Sequence, residues 1–317
     1  MVSPLKDSNL NGNGNGNGHL YGACLFFATM ALSVKLCTQP SALLGDHHMS
    51  SIQVVFFRSF LCLLLMAPLL LRDLKTHPIR AAMLKPMLLR SVAGGLAMIF
   101  YFQAIARLPL ATAVLLNYTS PLWASLFAFL YLGEALSAGL LLAYPLALAG
   151  VLMVVGGPGA SEDWGAIGLA LASAVMAGAA YTALRGLRGT PPSIVVTGLC
   201  LVTSVGSAPL CYLEYTPPTS LEWSILWVCA LSSAAAQVLM TLGYRTSSTA
   251  VASTVGLATV AFSGLLSCTL LGEILELKQW IGIGILLTAT SQTSRRSLLT
   301  RWVRTLNIGW RRPAYRH

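Results

Sequence analysis

Long apolar runs alternate with short polar breaks along this chain, and the runs have the length of a membrane crossing. A bilayer core of about 30 Å needs about 20 largely apolar helical residues. Runs of that kind predict five spans in the first half: Leu20 to Cys37, Ile52 to Leu71, Leu88 to Ala106, Leu110 to Leu132 and Ala138 to Val155. Five more follow: Trp164 to Leu184, Ile194 to Leu213, Trp223 to Tyr244, Thr249 to Leu271 and Gln279 to Ser291. The breaks carry charge, glycine or proline, as in Gly156-Gly157-Pro158-Gly159, Pro191-Pro192 and Pro217-Pro218, residues that interrupt helices. Residues 1–19 are polar, with Asn and Gly alternating over Asn11 to Gly18; they have too little apolar surface to fold and are expected to form a disordered tail. The first run lacks a basic flank and continues to span length, so it is expected to remain as a span and not to be cleaved as a signal peptide. Residues 295–317 are basic, with Leu299, Trp302, Leu306 and Trp310 at three-to-four spacing. That segment reads either as an amphipathic helix lying on anionic inner-leaflet lipid or as a disordered basic tail.

Composition agrees with an all-helical membrane protein. The 317 residues are 56% hydrophobic and 9% charged, against about 25% charged in a soluble domain, and the mean hydropathy is +0.72. No stretch remains for a soluble catalytic domain. A net charge of +10 would raise nucleic acid as a partner in a soluble protein, but here the basic residues sit in the breaks and the tail. With the N-terminus in the cytoplasm, only Arg107 and Lys278 of the 20 Lys plus Arg fall outside, while Lys35 and Arg58 lie within spans. This asymmetry is that of a positive-inside topology. It predicts both termini in the cytoplasm, and the plasma membrane is favoured over an organelle. The seven cysteines are scattered through apolar runs without a CxxC and read as small core residues. Asp46-His47-His48 is too sparse for a metal site, so no metal or cofactor is expected.

The two halves resemble each other. Ala111, Ala113, Leu126, Leu132, Gly133 and Glu134 fall on Ala250, Ala252, Leu265, Leu271, Gly272 and Glu273 without a gap, and Gly22, Ala28 and Met30 fall on Gly168, Ala174 and Met176. Five spans per copy is an odd number, so the copies enter the membrane with opposite polarity, the inverted repeat common in secondary transporters. Domains are expected at residues 20–155 and 164–291. The motifs Arg90-Ser91-Val92, Tyr101-Phe102-Gln103-Ala104-Ile105, Leu108-Pro109-Leu110-Ala111-Thr112-Ala113, Ser120-Pro121-Leu122 and Leu132-Gly133-Glu134 resemble the EamA-type drug/metabolite transporters. Over Arg90 to Glu134 the chain is especially similar to the solute carrier 35G type. The resemblance implies ten helices in two inverted EamA repeats, with a central cavity lined by spans one to four and six to nine. The second copy departs from the pattern, with Thr259-Val260 opposite Ser120-Pro121 and Cys229 opposite Arg90.

Arg58 stands about 10 Å of helix rise into the second span, where a charge is costly. It reads as an anchor for an anionic substrate group or as a hydrogen-bond donor to neighbouring helices. Lys35, nearer the outer end of span one, is expected to snorkel. Arg90 reads as a topology anchor at the start of span three or as a gate residue paired with Glu134. Glu134 and Glu273 end spans four and nine against the helix dipole and read as caps or gate locks. Tyr101, Gln103, Asn117, Tyr118, Tyr181 and Gln237 are polar groups on cavity-forming spans, open to substrate contact or to interhelical hydrogen bonds. Pro121, four residues after Asn117, frees a backbone carbonyl and kinks span four, and Trp123 reads as cavity wall or lipid contact. Ala170, Ala174 and Gly178 permit close helix packing.

No nucleophile with a base, no filter sequence and no Walker-type glycine loop is present, so an enzyme, a channel and an ATP-driven pump are disfavoured. The expectation is a secondary transporter of a small organic metabolite, carboxylate-bearing on the strength of Arg58 and Lys35. The alternatives are a carrier of neutral or cationic amphiphiles held by Tyr101, Trp123 and Tyr181, and, in another class, a scaffold or receptor. Expected partners are a small-molecule substrate and the lipid bilayer, with no nucleic acid; a second copy of the chain, as a homodimer, stays open.

Overall fold

In the computed structural model the described residues are 13–39, 48–78, 81–132, 163–187, 189–246 and 258–272, with 145–146, 149, 256, 277, 280–282, 284–285 and 288. Every regular element among them is helical: α1 (Asn13–Thr38), α2 (Ser51–Thr76), α3 (Ala81–Arg107), α4 (Leu110–Asn117), α5 (Ser120–Leu132), α6 (Trp164–Arg185), α7 (Pro192–Leu213), α8 (Ser220–Thr246) and α9 (Ala258–Leu266). A π-helical turn, Ser267–Leu271, continues α9 and stops at Gly272, whose φ of 65° is a left-handed conformation that glycine adopts without strain. Seven helical stretches among the described residues are long and apolar enough to cross a membrane: α1, α2, α3, the α4–α5 pair, α6, α7 and α8. The spans expected over 138–155 and 279–291 lie largely outside the described residues, and Glu134, Glu273 and the tail 295–317 lie wholly outside them.

Two expectations change. Helix α1 begins at Asn13 and not at Leu20, so part of the supposed tail is helical. Extending an existing helix costs far less than nucleating one, and the apolar run supplies the nucleus. Span four is two helices, with Tyr118 and Thr119 forming a turn between α4 and α5.

Local signals start several helices. Ser50 caps α2 by accepting from the Gln53 N–H, and Asp163 caps α6 by accepting from the Ala166 N–H. Thr219 and Glu222 form a reciprocal capping box on α8, the Glu222 carboxylate accepting from Thr219 N–H at 2.7 Å and the Thr219 hydroxyl from Glu222 N–H at 3.3 Å. Pro192 opens α7, where its missing N–H costs nothing.

The most extensive helix contacts join the two halves of the chain: α1 with α8, α3 with α6, and α2 with α7. Numbered within each half, the first helix packs on the third of the other half, the third on the first, and the second on the second. Large apolar side chains such as Leu64, Leu88, Val205 and Leu231 stay exposed, as suits surfaces facing lipid.

At one end of the bundle α1 and α3 finish and α2, α6 and α8 begin. An apolar plug that includes Val34, Cys37, Met49, Leu108 and Leu226 fills this end. Pro109 provides no N–H for the Ile105 carbonyl, and the chain turns there, so several carbonyls lose their helical partners. The Lys35 ammonium answers two of them, donating to Ile105 O at 3.1 Å and Leu108 O at 2.5 Å. Gln39 Nε2 donates to Ala106 O at 2.8 Å. Lys35 is 5% exposed, so its predicted snorkelling is corrected: the carbonyls at the end of α3 hold the ammonium inside, where it also meets the negative end of the helix dipole. Across the same end Gln53 pairs with Thr216 in both directions, giving Nε2–H to Thr216 O and accepting at Oε1 from Thr216 N–H and hydroxyl.

Lys35→Met keeps the apolar stem and strands two buried carbonyls. At about 1–3 kcal/mol for each of the two unsatisfied groups, the variant is expected to lose roughly 2–6 kcal/mol of stability, read by denaturant or thermal unfolding in detergent. Unchanged stability would mean that other groups take over these carbonyls.

Candidate functional site

Within the bundle, beyond the plug, lies a cavity with about 660 Å3 of empty space, the open volume at its mouth included. Helix α3 presents one face to it. Arg90, Gly94, Ala97, Met98 and Tyr101 line the cavity at the three-to-four spacing of one helix stripe. Gln103, two residues past Tyr101, falls about 200° around the axis and is not among the lining residues. Helix α1 adds Phe27 and Met30, and α7 adds Leu199. The remaining polar lining comes from Asn117 of α4, Tyr118 of the turn, Ser120 of α5, Tyr181 of α6, Gln237 of α8 and Thr259 of α9.

Arg90 changes role. It stands about 13 Å of helix rise beyond Ala81, is 4% exposed, and donates from Nη2 to Gln237 Oε1 at 3.0 Å. Instead of marking a membrane boundary, it is a guanidinium on the cavity wall. Gly94, one turn on, leaves it room, since a Cβ there would come within 2.6 Å of Arg90 Nη1 and 2.8 Å of Leu199 Cδ1. Helices α3 and α8 are not among the extensive helix contacts, so this bond crosses between walls. A planar donor group held in a low-dielectric pocket suits a carboxylate or another oxyanion.

Asn117 sits where the α4–α5 helix breaks. Its carbonyl would bond the N–H four residues on, which Pro121 does not have. The Asn117 side-chain amide, half-buried on the wall, has no hydrogen-bond partner among the described residues, and neither has the Tyr101 hydroxyl. These groups are available to a ligand. Tyr118 is committed differently: its hydroxyl donates to Thr259 Oγ1 at 2.6 Å, tying the break to α9.

A second lobe, with about 440 Å3 of empty space, adjoins the first. Phe27, Tyr118, Ser120 and Tyr181 line both lobes. The rest of its wall includes Leu20, Ala23 and Cys24 of α1, Pro121 and Met240, so it runs along α1 and α8 away from the plugged end.

Arg58, the charge that first drew notice, is elsewhere. It is fully buried between α2 and α8, where Nε donates to Ser233 Oγ at 2.7 Å, Nη2 also bonds that oxygen, and Nη1 donates to Ser59 Oγ at 3.3 Å. Its expected place in the substrate cavity is corrected. The Ser233 hydroxyl of α8 and the Ser59 hydroxyl of its own helix satisfy it, and no residue of α2 is among the described lining of the cavity. Trp123 also departs from the lining: its Cβ and backbone lie against Gly178 of α6, where a built Cβ would come within 2.6 Å of the Trp123 Cβ. Ala170 and Ala174 are fully buried, which agrees with their packing role. Gly94, Met98, Leu199 and Phe27 went unnoticed in the sequence; stepping three and four residues from Arg90 would have found the α3 members. Ser233 could have been suspected as one of the adjacent hydroxyls Ser232 and Ser233 in the middle of a span.

Six of the seven cysteines are buried, and Cys268 is exposed. Among the described residues no three His, Cys, Asp or Glu side chains gather as a metal set, while Asp46 and His47 lie outside those residues.

Comparison with known proteins adds identity to this geometry. The model of the EamA-like transporter family matches residues 17–156 and 164–294. The chain is 34% identical to the pseudopaline exporter CntI of Pseudomonas aeruginosa, over 61% of this chain and 68% of the relative. It is 26% identical to an uncharacterized transporter of Helicobacter pylori, over 83% of this chain and 92% of that one. A solved crystal structure superposes with a TM-score of 0.64 at 20% identity, covering 91% of this chain and 98% of the other, a likeness of fold.

Ser233→Ala removes the acceptor for two Arg58 nitrogens and leaves a buried charge short of partners. Hydrogen bonds to charged groups contribute about 1.5–3 kcal/mol, so unfolding in detergent should show a loss of that size. No loss would mean that Arg58 finds another acceptor.

Proposed function

This chain belongs to the EamA-like transporter family, an integral multi-pass membrane protein that moves small molecules and is not an enzyme, and on that premise we propose that it carries a carboxylate-bearing organic metabolite by alternating access. The observation that carries this reading is Arg90: a guanidinium nine-tenths buried on a cavity wall, joined to Gln237 from the other half of the chain. Asn117 and Tyr101 supply neutral donors beside it. A carboxylate entering the cavity takes up the guanidinium in the two-point geometry that arginine offers, and the amide and phenol groups orient the rest of the molecule.

The reading extends to architecture. Two inverted five-helix repeats over 20–155 and 164–291 are supported by the two family matches and by the reciprocal pairing of α1 with α8 and α3 with α6. Both termini are assigned to the cytoplasm of a plasma-membrane protein on the charge asymmetry of the sequence. In that orientation the end plugged around Lys35 faces outward, and the cavity belongs to the inner half of the protein. Rocking of one half against the other about the Arg90–Gln237 level would open the plugged end and close the other. Lys35, Arg58, Pro121 and Trp123 are assigned to structure, Tyr118 and Tyr181 to the cavity wall, and Glu134 and Glu273 keep their proposed role as gate locks. A neutral or cationic amphiphile is the second reading, favoured by the tyrosines at the wall.

The test is a thermal-shift panel of amino acids, mono- and dicarboxylates, nucleosides and amphiphilic amines on purified protein, because a ligand that binds only the folded state stabilises it. Carboxylates are expected to stabilise the parent, and Arg90→Gln to weaken their binding roughly 10- to 100-fold, the equivalent of about 1.5–3 kcal/mol for a charge-assisted bond. Arg58→Gln should lower the baseline melting temperature while keeping the carboxylate response. Stabilisation by amines or nucleosides alone, or carboxylate binding indifferent to Arg90→Gln, would overturn the reading in favour of the amphiphile.

A further inference from the structure

We infer that the transported molecule is bipartite: a carboxylate held at Arg90 and a compact apolar group, of branched-chain or single-ring size, seated in the second lobe. The inference rests on the carboxylate reading of the first lobe and adds what the rest of the substrate must be. Its basis is the contrast between two adjoining spaces. The first lobe holds the charge and the amides of Arg90, Asn117 and Gln237. The second is walled mainly by aliphatic, aromatic and sulfur-bearing side chains such as Leu20, Phe27 and Met240, and no charged residue is among its described lining.

The two spaces are continuous in lining and stacked along the bundle. On α8, Gln237 of the polar lobe and Met240 of the apolar one are about 4.5 Å of rise apart, and on α1 the step from Phe27, shared by both, to Leu20 is about 10 Å. A carboxylate at Arg90 therefore directs the rest of the molecule past Tyr118 and Tyr181, which line both spaces, toward the apolar one. An apolar space beside a desolvated polar one is poorly filled by a second charge or a hydroxyl chain, since either would be buried without partners. A compact hydrocarbon group gains instead, by roughly fourfold in affinity for each methylene taken from water. Specificity thus lies in the second lobe, and Cys24 and Met240, on its wall and outside the polar group, determine the size of the side group accepted.

The experiment compares binding of propionate, 4-methylpentanoate, 3-phenylpropionate and succinate to the full-length protein in detergent, by thermal shift and by competition. The branched and ring-bearing acids are expected to bind at least tenfold more tightly than propionate, and succinate no better than propionate. Cys24→Leu, which narrows the lobe, should remove most of the gain of 3-phenylpropionate over propionate, weakening the ring-bearing acid by a larger factor than propionate. Met240→Ala, which widens it, should raise the preference for the ring over the branched chain, and a monodisperse elution profile with a parent-like melting temperature checks folding of both variants. Equal binding of all three monocarboxylates, or a gain untouched by both substitutions, would overturn the bipartite substrate while leaving the role of Arg90 intact. Absence of binding by every carboxylate would overturn the reading of the first lobe, and this inference with it.

Discussion

Away from water, every backbone carbonyl released from a helix needs another partner, and Pro109 and Pro121, unlike Pro68, Pro86 and Pro209 inside α2, α3 and α7, release theirs where the chain breaks between two helices. At Leu108-Pro109 the freed groups fall inside the plugged end and are answered at once by Lys35 and Gln39. At Pro121 the freed carbonyl belongs to Asn117, on the wall of the cavity. The first break is closed by protein and becomes a joint that holds α1 to α3. The second opens onto space and leaves polar backbone beside a side-chain amide with no described partner. The same chemistry thus fixes one end of the molecule and equips its interior.

The two buried arginines divide in a similar way. Arg58 is surrounded by hydroxyls at a tight interface between α2 and α8, and removing its acceptor would leave a charge in the packing. Arg90 lies against open space, with Gly94 giving it room and Gln237 giving it one acceptor from across the cavity. Burial depth does not separate the two. What separates them is whether the helix stripe that carries the side chain faces another helix or a void.

That distinction explains what could be read from the amino-acid sequence. Span-length apolar runs, the break before Pro121 and the small-residue face of α6 were legible because each depends on local chemistry. The membrane class followed from composition, and the family from motifs between Arg90 and Glu134. Depth along a span can be counted, whereas rotation about the axis is set by contacts with distant segments, so the sequence leaves Arg58 open between a substrate anchor and an interhelical donor and places Arg90 at the start of a span. Lys35 misled for a related reason: its partners are main-chain carbonyls seventy residues away, invisible to any reading of side-chain types. The Asn-Gly stretch before His19 joined α1 because a helix already formed elsewhere could run on through it.

The bond between Arg90 and Gln237 joins helices from opposite halves of the chain that otherwise share little packing. In the proposed rocking cycle this bond lies at the level about which the halves turn. On the carboxylate reading, a substrate bound at Arg90 would compete with Gln237 for the same guanidinium, so that loading of the cavity and the tie between its two walls would be coupled through a single side chain.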